Sequence, residues 1–233
     1  DGVNMNRAFP GDPNGTTSYR IAHFTREYVL ERADVVLDIH SGGRILRFPM
    51  CSSFHEVPDP AQQSEMARVA RLFDTPFIMV YAKAMARGLL TDEAEAMGKI
   101  TIGTELGYGE ATIREGVRHA EVGIRNTLRH YGLLPGELER ARPADAPPSR
   151  IARAVRLEDY VPAPISGIYE PTAEPGQWVE PGDLLGRIYD FDYAGSRPLE
   201  MRAHRAGWLL VAPFAAAVPK GQTVVVIAEE VDY

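Results

Sequence analysis

Four side chains of related chemistry stand in three short stretches of this chain. An apolar run, Ala33-Asp34-Val35-Val36-Leu37-Asp38-Ile39, ends on His40 and then Ser41-Gly42-Gly43. A second, Lys99-Ile100-Thr101-Ile102-Gly103-Thr104, ends on Glu105 and Leu106-Gly107. Near the start, Asn4-Met5-Asn6-Arg7-Ala8-Phe9-Pro10-Gly11 supplies an amide and a guanidinium. An imidazole ligates metals, a carboxyl at the end of an apolar strand can take and return a proton, and a guanidinium grips carboxylates. The pairing of His40 with Glu105 suggests a metal-dependent hydrolase.

Each group also has a plainer explanation. A lone His at a strand end is more often a hydrogen-bonded core residue, but Gly42 and Gly43 would let metal or substrate approach the backbone. Glu105 closes an apolar or β-branched strand, where a carboxylate is unfavourable unless paired or functional. For Arg7 the plain reading is a surface salt bridge. Arg44 and Arg47 either reach a substrate carboxylate or are ordinary surface charges. Asp38 shares a strand face with His40, and a backbone hydrogen bond at the sheet end is expected for it rather than contact with the imidazole. Glu110 and Glu115 read as solvated. His23, His119 and His130 fall in helical patterns as exposed or half-buried residues, and His55 and His204 read as loop residues.

The elements that must position these groups follow from periodicity. Residues 35–40, 77–81 and 100–105 read as buried strands. Between them, 17–32 (Ile21, Phe24, Tyr28, Val29), 62–73 (Met66, Val69, Ala70, Phe73), 90–97 and 113–130 (Val117, Ala120, Ile124, Leu128) read as helices. Strands alternating with helices predict an α/β fold with a mostly parallel sheet, whose carboxyl ends would carry His40 and Glu105.

Residues 141–150, with Pro143, Pro147 and Pro148, read as a linker between a first domain, 1–140, and a second, 151–233. The second reads as all-β and weakly repeated. Pro164-Ile165-Ser166-Gly167-Ile168 is echoed by His204-Arg205-Ala206-Gly207-Trp208, and Val179-Glu180-Pro181-Gly182-Asp183 by Val218-Pro219-Lys220-Gly221-Gln222. Two half-motifs of this kind suggest a small sandwich similar to biotinyl and lipoyl domains. No lysine occurs in 190–203, where such domains carry their modified residue, so a structural or gating cap is expected.

The three chemical stretches resemble the succinylglutamate desuccinylase/aspartoacylase family, related in its catalytic domain to zinc carboxypeptidases, over residues 1 to about 134. The resemblance implies a zinc carboxypeptidase-like fold and Zn2+ as cofactor. It makes His40 a zinc ligand, Glu105 the general base, and Asn6 and Arg7 substrate-binding residues. Within the family, AsnMetAsnArgAlaPheProGly and AspIleHisSerGlyGly are most similar to the branch that deacetylates N-acetyl-2,4-diaminobutyrate in ectoine degradation. The reaction it implies is hydrolysis of the amide of an N-acyl amino acid, with a zinc carboxypeptidase or a metal-free scaffold relative as alternatives. The family's His-x-x-Glu zinc pair, placed before the Asn-Arg motif, does not occur here, since no His is followed three residues on by Glu. The expectation is that an N-terminal segment lies outside this sequence.

Composition narrows the partners. A net charge of −7 with three lysines (Lys83, Lys99, Lys220) disfavours nucleic acid, whose phosphates need clustered cations. No run of 18 apolar residues and no signal peptide is visible, so no membrane partner is expected. The single cysteine, Cys51, forms no internal disulfide and fits the reducing cytoplasm. A small N-acyl amino acid is the expected partner, and homo-oligomerisation is left open.

Overall fold

The computed structural model describes residues 1–193 and 195–232. Its first part holds helices α1 (Thr17–Phe24), α2 (Pro60–Arg71), α3 (Leu90–Ala96) and α4 (Arg114–His130). Its strands are β1 (Val35–Asp38), β2 (Leu46–Arg47), β3 (Cys51–His55), β4 (Phe77–Tyr81), β5 (Ile100–Glu105) and β6 (Arg150–Ala154). Five of them lie side by side in the order β1-β5-β3-β4-β6. The sheet is mixed where a mostly parallel one is expected: β1/β5, β3/β4 and β4/β6 are parallel, but β3 runs antiparallel to β5. The reason lies between β1 and β3. Residues 39–50 contain only the short β2 and no crossover helix, so the chain turns back at the strand ends and returns in the opposite direction.

Strand alternation divides the sheet's two faces. Phe54, Ile78, Val80 and Ile102 point to one side and pack on Met66, Val69 and Ala70 of α2. That helix starts where Asp59 accepts hydrogen bonds from the N–H groups of Ala61 and Gln62, with Pro60 in its first turn. The opposite face carries Asp38, Ser53, His55, Tyr81 and Glu105, and it is the floor of the site described below.

Two helices present the opposite side from the one their apolar periodicity predicts. The face of α4 that is buried is Gly116, His119, Val122, Gly123, Asn126 and Thr127, while Val117, Ile124 and Leu128 are exposed. Close approach explains this: a Cβ on Gly116 would lie 1.8 Å from the Leu106 carbonyl oxygen, and one on Gly123 would lie 2.2 Å from the Phe73 ring. His119 is buried with Nδ1 3.0 Å from the Phe73 carbonyl, not half-exposed. In the helical segment 17–32, which passes from α1 into a π turn and a 3-10 turn, Ile21, Phe24, Tyr28 and Val29 are likewise exposed.

After α4 the regular structure is β apart from one 3-10 turn, Leu157–Asp159. The strands are β7 (Tyr160–Pro162), β8 (Gly167–Pro171), β9 (Trp178–Val179), β10 (Leu184–Tyr189), β11 (Leu199–Arg202), β12 (Gly207–Pro213), β13 (Ala217–Val218) and β14 (Thr223–Glu230). The two half-motifs occupy equivalent places. Gly167 and Gly207 open β8 and β12, Gly182 and Gly221 take the positive φ of the turns before β10 and β14 (94° and 88°), and the short strands pair crosswise, β9 with β12 and β13 with β8.

One sheet runs through both parts of the chain. β14 pairs with β6 and with β12, and β12 pairs with β2 through Ala212–Arg47 and Pro213–Leu46. The sheet thereby curls back, so that Leu210, Val211 and Val226 pack over Cys51, Phe77 and Met79. The Pro-rich stretch before β6 is fastened by Asp74, whose carboxylate accepts hydrogen bonds from Arg140 Nε and the backbone N–H groups of Ala141 and Arg142, with Arg142 Nη2 at 3.0 Å.

Candidate active site

β1 and β5 end side by side, and the residues that follow them meet. The His40 N–H donates to Thr104 Oγ1 (2.9 Å), and the Leu106 N–H donates to the His40 carbonyl (2.9 Å). With its backbone satisfied by β5, the His40 ring is left for side-chain partners. Asp38 supplies one: its Oδ2 lies 2.8 Å from His40 Nε2, where a backbone bond was the expectation. This contact lifts the imidazole's pKa above its ordinary value, although burial works downward.

The opening residues dock onto the same place. Asn4 caps the single turn Met5–Arg7 by accepting from the Asn6 N–H. Asn6 spends both ends of its amide on the protein. Its Oδ1 accepts from the Leu90 N–H at the start of α3 (2.7 Å), and its Nδ2 lies 2.8 Å from His40 Nε2 and donates to Asp38 Oδ2 (3.2 Å). Asn6 is thus a strut joining the imidazole to α3. Arg7 bonds the Asn6 carbonyl and, among the described residues, has no carboxylate partner. Asn6, Arg7, His40 and Glu105 all line one cavity of about 700 Å3.

Glu105 is the unusual group in it. Its Oε2 is buried without a hydrogen-bond partner. Burial pushes its pKa from 4.5 up to about 7, the positive charge of His40 working downward and Asp38 upward. A carboxyl that exchanges its proton near neutrality and has a free oxygen suits general base work. Neighbouring Cys51 is no competitor as a nucleophile, because burial and then the charge of Glu105 push its thiol well up.

Other candidates fall elsewhere or are already engaged. Arg44 pairs with Glu110, and Arg47 pairs with Glu174 at 2.6 Å while lying 5.1 Å from the centre of the Tyr108 ring. Glu110, read as solvated, is exposed and pairs with Arg44 at the surface.

His55 is a strand residue and not in a loop: it is buried at the end of β3 with Nδ1 2.9 Å from Glu95 Oε1, and Lys83 Nζ lies 2.8 Å from Glu95 Oε2. The sequence reading passes over this group. Its only signal is the alternation Cys51, Ser53, His55, which puts His55 on the face of Glu105's partner residue. Tyr81, Tyr160, Gln222 and Thr223 also line the cavity unforeseen, the last three from beyond the Pro-rich stretch.

A catalytic zinc takes three protein ligands and keeps one position open. The imidazoles lining the cavity are His40, beside Asp38, and His55, whose Nδ1 is taken by Glu95. Among the described residues no three of His, Cys, Asp and Glu are placed to hold a metal ion. By themselves they do not make up a catalytic zinc centre.

Known proteins resemble this chain in sequence and in fold. Residues 1–131 match the model of the succinylglutamate desuccinylase/aspartoacylase catalytic domain. The N-alpha-acetyl-L-2,4-diaminobutyric acid deacetylase of Halomonas elongata is 37% identical over 232 residues, covering 100% of this chain and 67% of that protein. A succinylglutamate desuccinylase/aspartoacylase from Rhodobacter sphaeroides superposes with a TM-score of 0.92 at 32% identity, covering 100% of this chain and 69% of that one. The product-bound ectoine utilization protein EutE (DoeB) of Ruegeria pomeroyi gives 0.89 at 31%, covering 97% and 67%. The mixed sheet with few helices is the fold these relatives have. By sequence and by structure alike, the chain belongs to the succinylglutamate desuccinylase/aspartoacylase family.

Proposed function

We propose that the protein is a zinc-dependent amidohydrolase that releases the acyl group, acetate in the favoured case, from an N-acyl amino acid, with N-acetyl-2,4-diaminobutyrate the favoured substrate. The observation that carries this is the orphaned Oε2 of Glu105 in the cavity shared by His40 and Arg7. Water attacks the acyl carbonyl while Glu105 takes its proton, and Glu105 returns a proton to the amine as the C–N bond breaks. The exposed guanidinium of Arg7 holds the α-carboxylate, and Asn6 keeps His40 and α3 in place. The deacetylase relative supports the choice of substrate.

Zinc belongs to the reading with His40 as one ligand. We assign residues 1–140 to catalysis and 151–233 to a cap of biotinyl/lipoyl-like design, joined by 141–150, with β6 and the end of β14 shared between them. We place the enzyme in the cytoplasm, in keeping with its one buried thiol. No helix among the described residues is long and apolar enough to cross a membrane. The test is acetate release from N-acetyl-2,4-diaminobutyrate against residue release from C-terminal peptides. Acetate release that stops on dialysis against a chelator and returns with zinc is the expected result. Peptide trimming, or no hydrolysis with zinc present, overturns it.

A further inference from the structure

Among the described residues three buried side-chain nitrogen or oxygen atoms have no hydrogen-bond partner: Glu105 Oε2, Gln222 Nε2 and Arg205 Nε. Such groups are uncommon in folded proteins, and each calls for a reason. Arg205 is otherwise engaged, its Nη2 bonding the Ile227 carbonyl at 2.6 Å and lying 3.1 Å from Asp159 Oδ1. The other two atoms belong to residues that line the one cavity described above. Glu105 is used by the proposed reaction; Gln222 is not.

The local structure holds Gln222 by its backbone. Its N–H donates to the Pro219 carbonyl (3.2 Å), its own carbonyl accepts from the Ala163 N–H (2.8 Å), and the Gly221 N–H donates to the Ala163 carbonyl (2.8 Å). Gly221 supplies the φ of 88° that this turn requires. Thr223, the next residue, pairs with Pro162 of β7 as β14 begins. The turn is thus tied by main-chain bonds, and the free Nε2 adds nothing to it. A buried amide nitrogen without an acceptor is unfavourable to the fold, because its N–H groups leave water and gain no replacement. An oxygen of a bound ligand removes that penalty, and a donor carried on a fixed turn loses little freedom in meeting it.

We propose that Gln222 is a substrate-binding residue whose Nε2 donates to an oxygen of the N-acyl amino acid, that of the acyl carbonyl or of the carboxylate. The part of the chain beyond the Pro-rich stretch then does more than wall the cavity: it contributes a polar contact to the substrate. This rests on the deacylase reading.

The experiment compares the parent enzyme with Gln222→Met, which keeps the length of the side chain without the donor, and with Gln222→Glu, which sets an acceptor in the donor's place. With Nα-acetyl-2,4-diaminobutyrate and zinc, kcat/KM is expected to fall about tenfold in Gln222→Met. In Gln222→Glu it is expected to fall further, on the order of thirtyfold, because a carboxylate repels the oxygen it faces. Thermal unfolding without substrate supplies a readout that a structural role would move the other way: Gln222→Met should melt at the parent's temperature or above it. An N-acetyl amine without the carboxylate locates the oxygen. A loss in Gln222→Met that persists on it assigns the acyl carbonyl, and a loss confined to the amino acid assigns the carboxylate. Unchanged kcat/KM in Gln222→Met, a Gln222→Glu as active as the parent, or a Gln222→Met that melts several degrees lower or does not fold overturns the contact. A parent enzyme that hydrolyses no N-acyl amino acid removes the deacylase reading instead, and calorimetry with Nα-acetyl-2,4-diaminobutyrate then decides the contact. Binding to Gln222→Met weaker by about fivefold or more keeps it; equal or absent binding overturns it.

Discussion

Glu105, the general base of the proposed reaction, also carries a cost in stability. Its folded-state pKa of about 7 lies above the ordinary 4.5. The native protein therefore holds a proton there that the unfolded chain gives up, and the stability this confers is present below about 4.5 and lost as pH rises through 7. In metal-free protein Glu105→Gln should raise stability by roughly 3 kcal/mol above pH 7.5, with a much smaller gain near pH 5. Denaturant titrations of both proteins at the two pH values measure this, and a gain independent of pH would show that the carboxyl is not the cause. The same variant should lose deacylase activity by at least a hundredfold. Arg7 makes a different prediction. Charged hydrogen bonds contribute about 1.5–3 kcal/mol, so Arg7→Ala should raise KM roughly 10- to 100-fold, restored in part when an N-acyl amine without the carboxylate is assayed. These residues were legible because strand ends are where an α/β sheet collects chemistry. His55 was not, since a histidine four residues past a cysteine gives no periodic signal of its own, and its partner Glu95 lies 40 positions away.

At the scale of elements, β1, β4, β5 and α2 could be read from pattern because burial alone decides them, whereas β3 goes unread and its His55 reads as a loop residue. The direction of β3 could not be read either, since it depends on the missing crossover between β1 and β3. Nor could the buried face of α4, where Gly116 and Gly123 allow contact closer than any apolar side chain would permit. A helix that packs through glycine leaves its valine and leucine outward, so hydrophobic periodicity names the wrong side. The stretch with Pro143, Pro147 and Pro148 reads as a linker, and it is held by the buried Asp74. Burial works to raise the pKa of Asp74, but Arg140 and Arg142 outweigh it and keep the carboxyl ionised. Asp74→Asn keeps a side chain that tolerates the φ of 49° and removes the charge. It should cost about 2–3 kcal/mol in denaturant unfolding and speed cleavage at Arg140 and Arg142 by trypsin. Unchanged stability would mean that the ion pairs do not fasten the stretch.

For the whole molecule, the sheet that passes through β6, β14 and β12 makes the two parts one cooperative body. Trp178 and Trp208 are the only tryptophans and both lie in the second part, whereas all four helices lie in the first. Tryptophan fluorescence and helical circular dichroism should therefore follow a single denaturant midpoint. Two separated midpoints would show that the shared strands do not couple the parts. The repeat of Gly167 and Gly182 in Gly207 and Gly221 foretold the paired half-motifs, but nothing local foretold that β12 would reach back to β2. That contact has a consequence for how the protein is made. The segment just after His40 is pinned by residues far along the chain, with the Phe214 N–H bonded to the Ile45 carbonyl. During vectorial synthesis the imidazole and its carboxyl neighbour emerge long before the strand that walls them in. The pocket thus stays unfinished until β12 and β14 have left the ribosome.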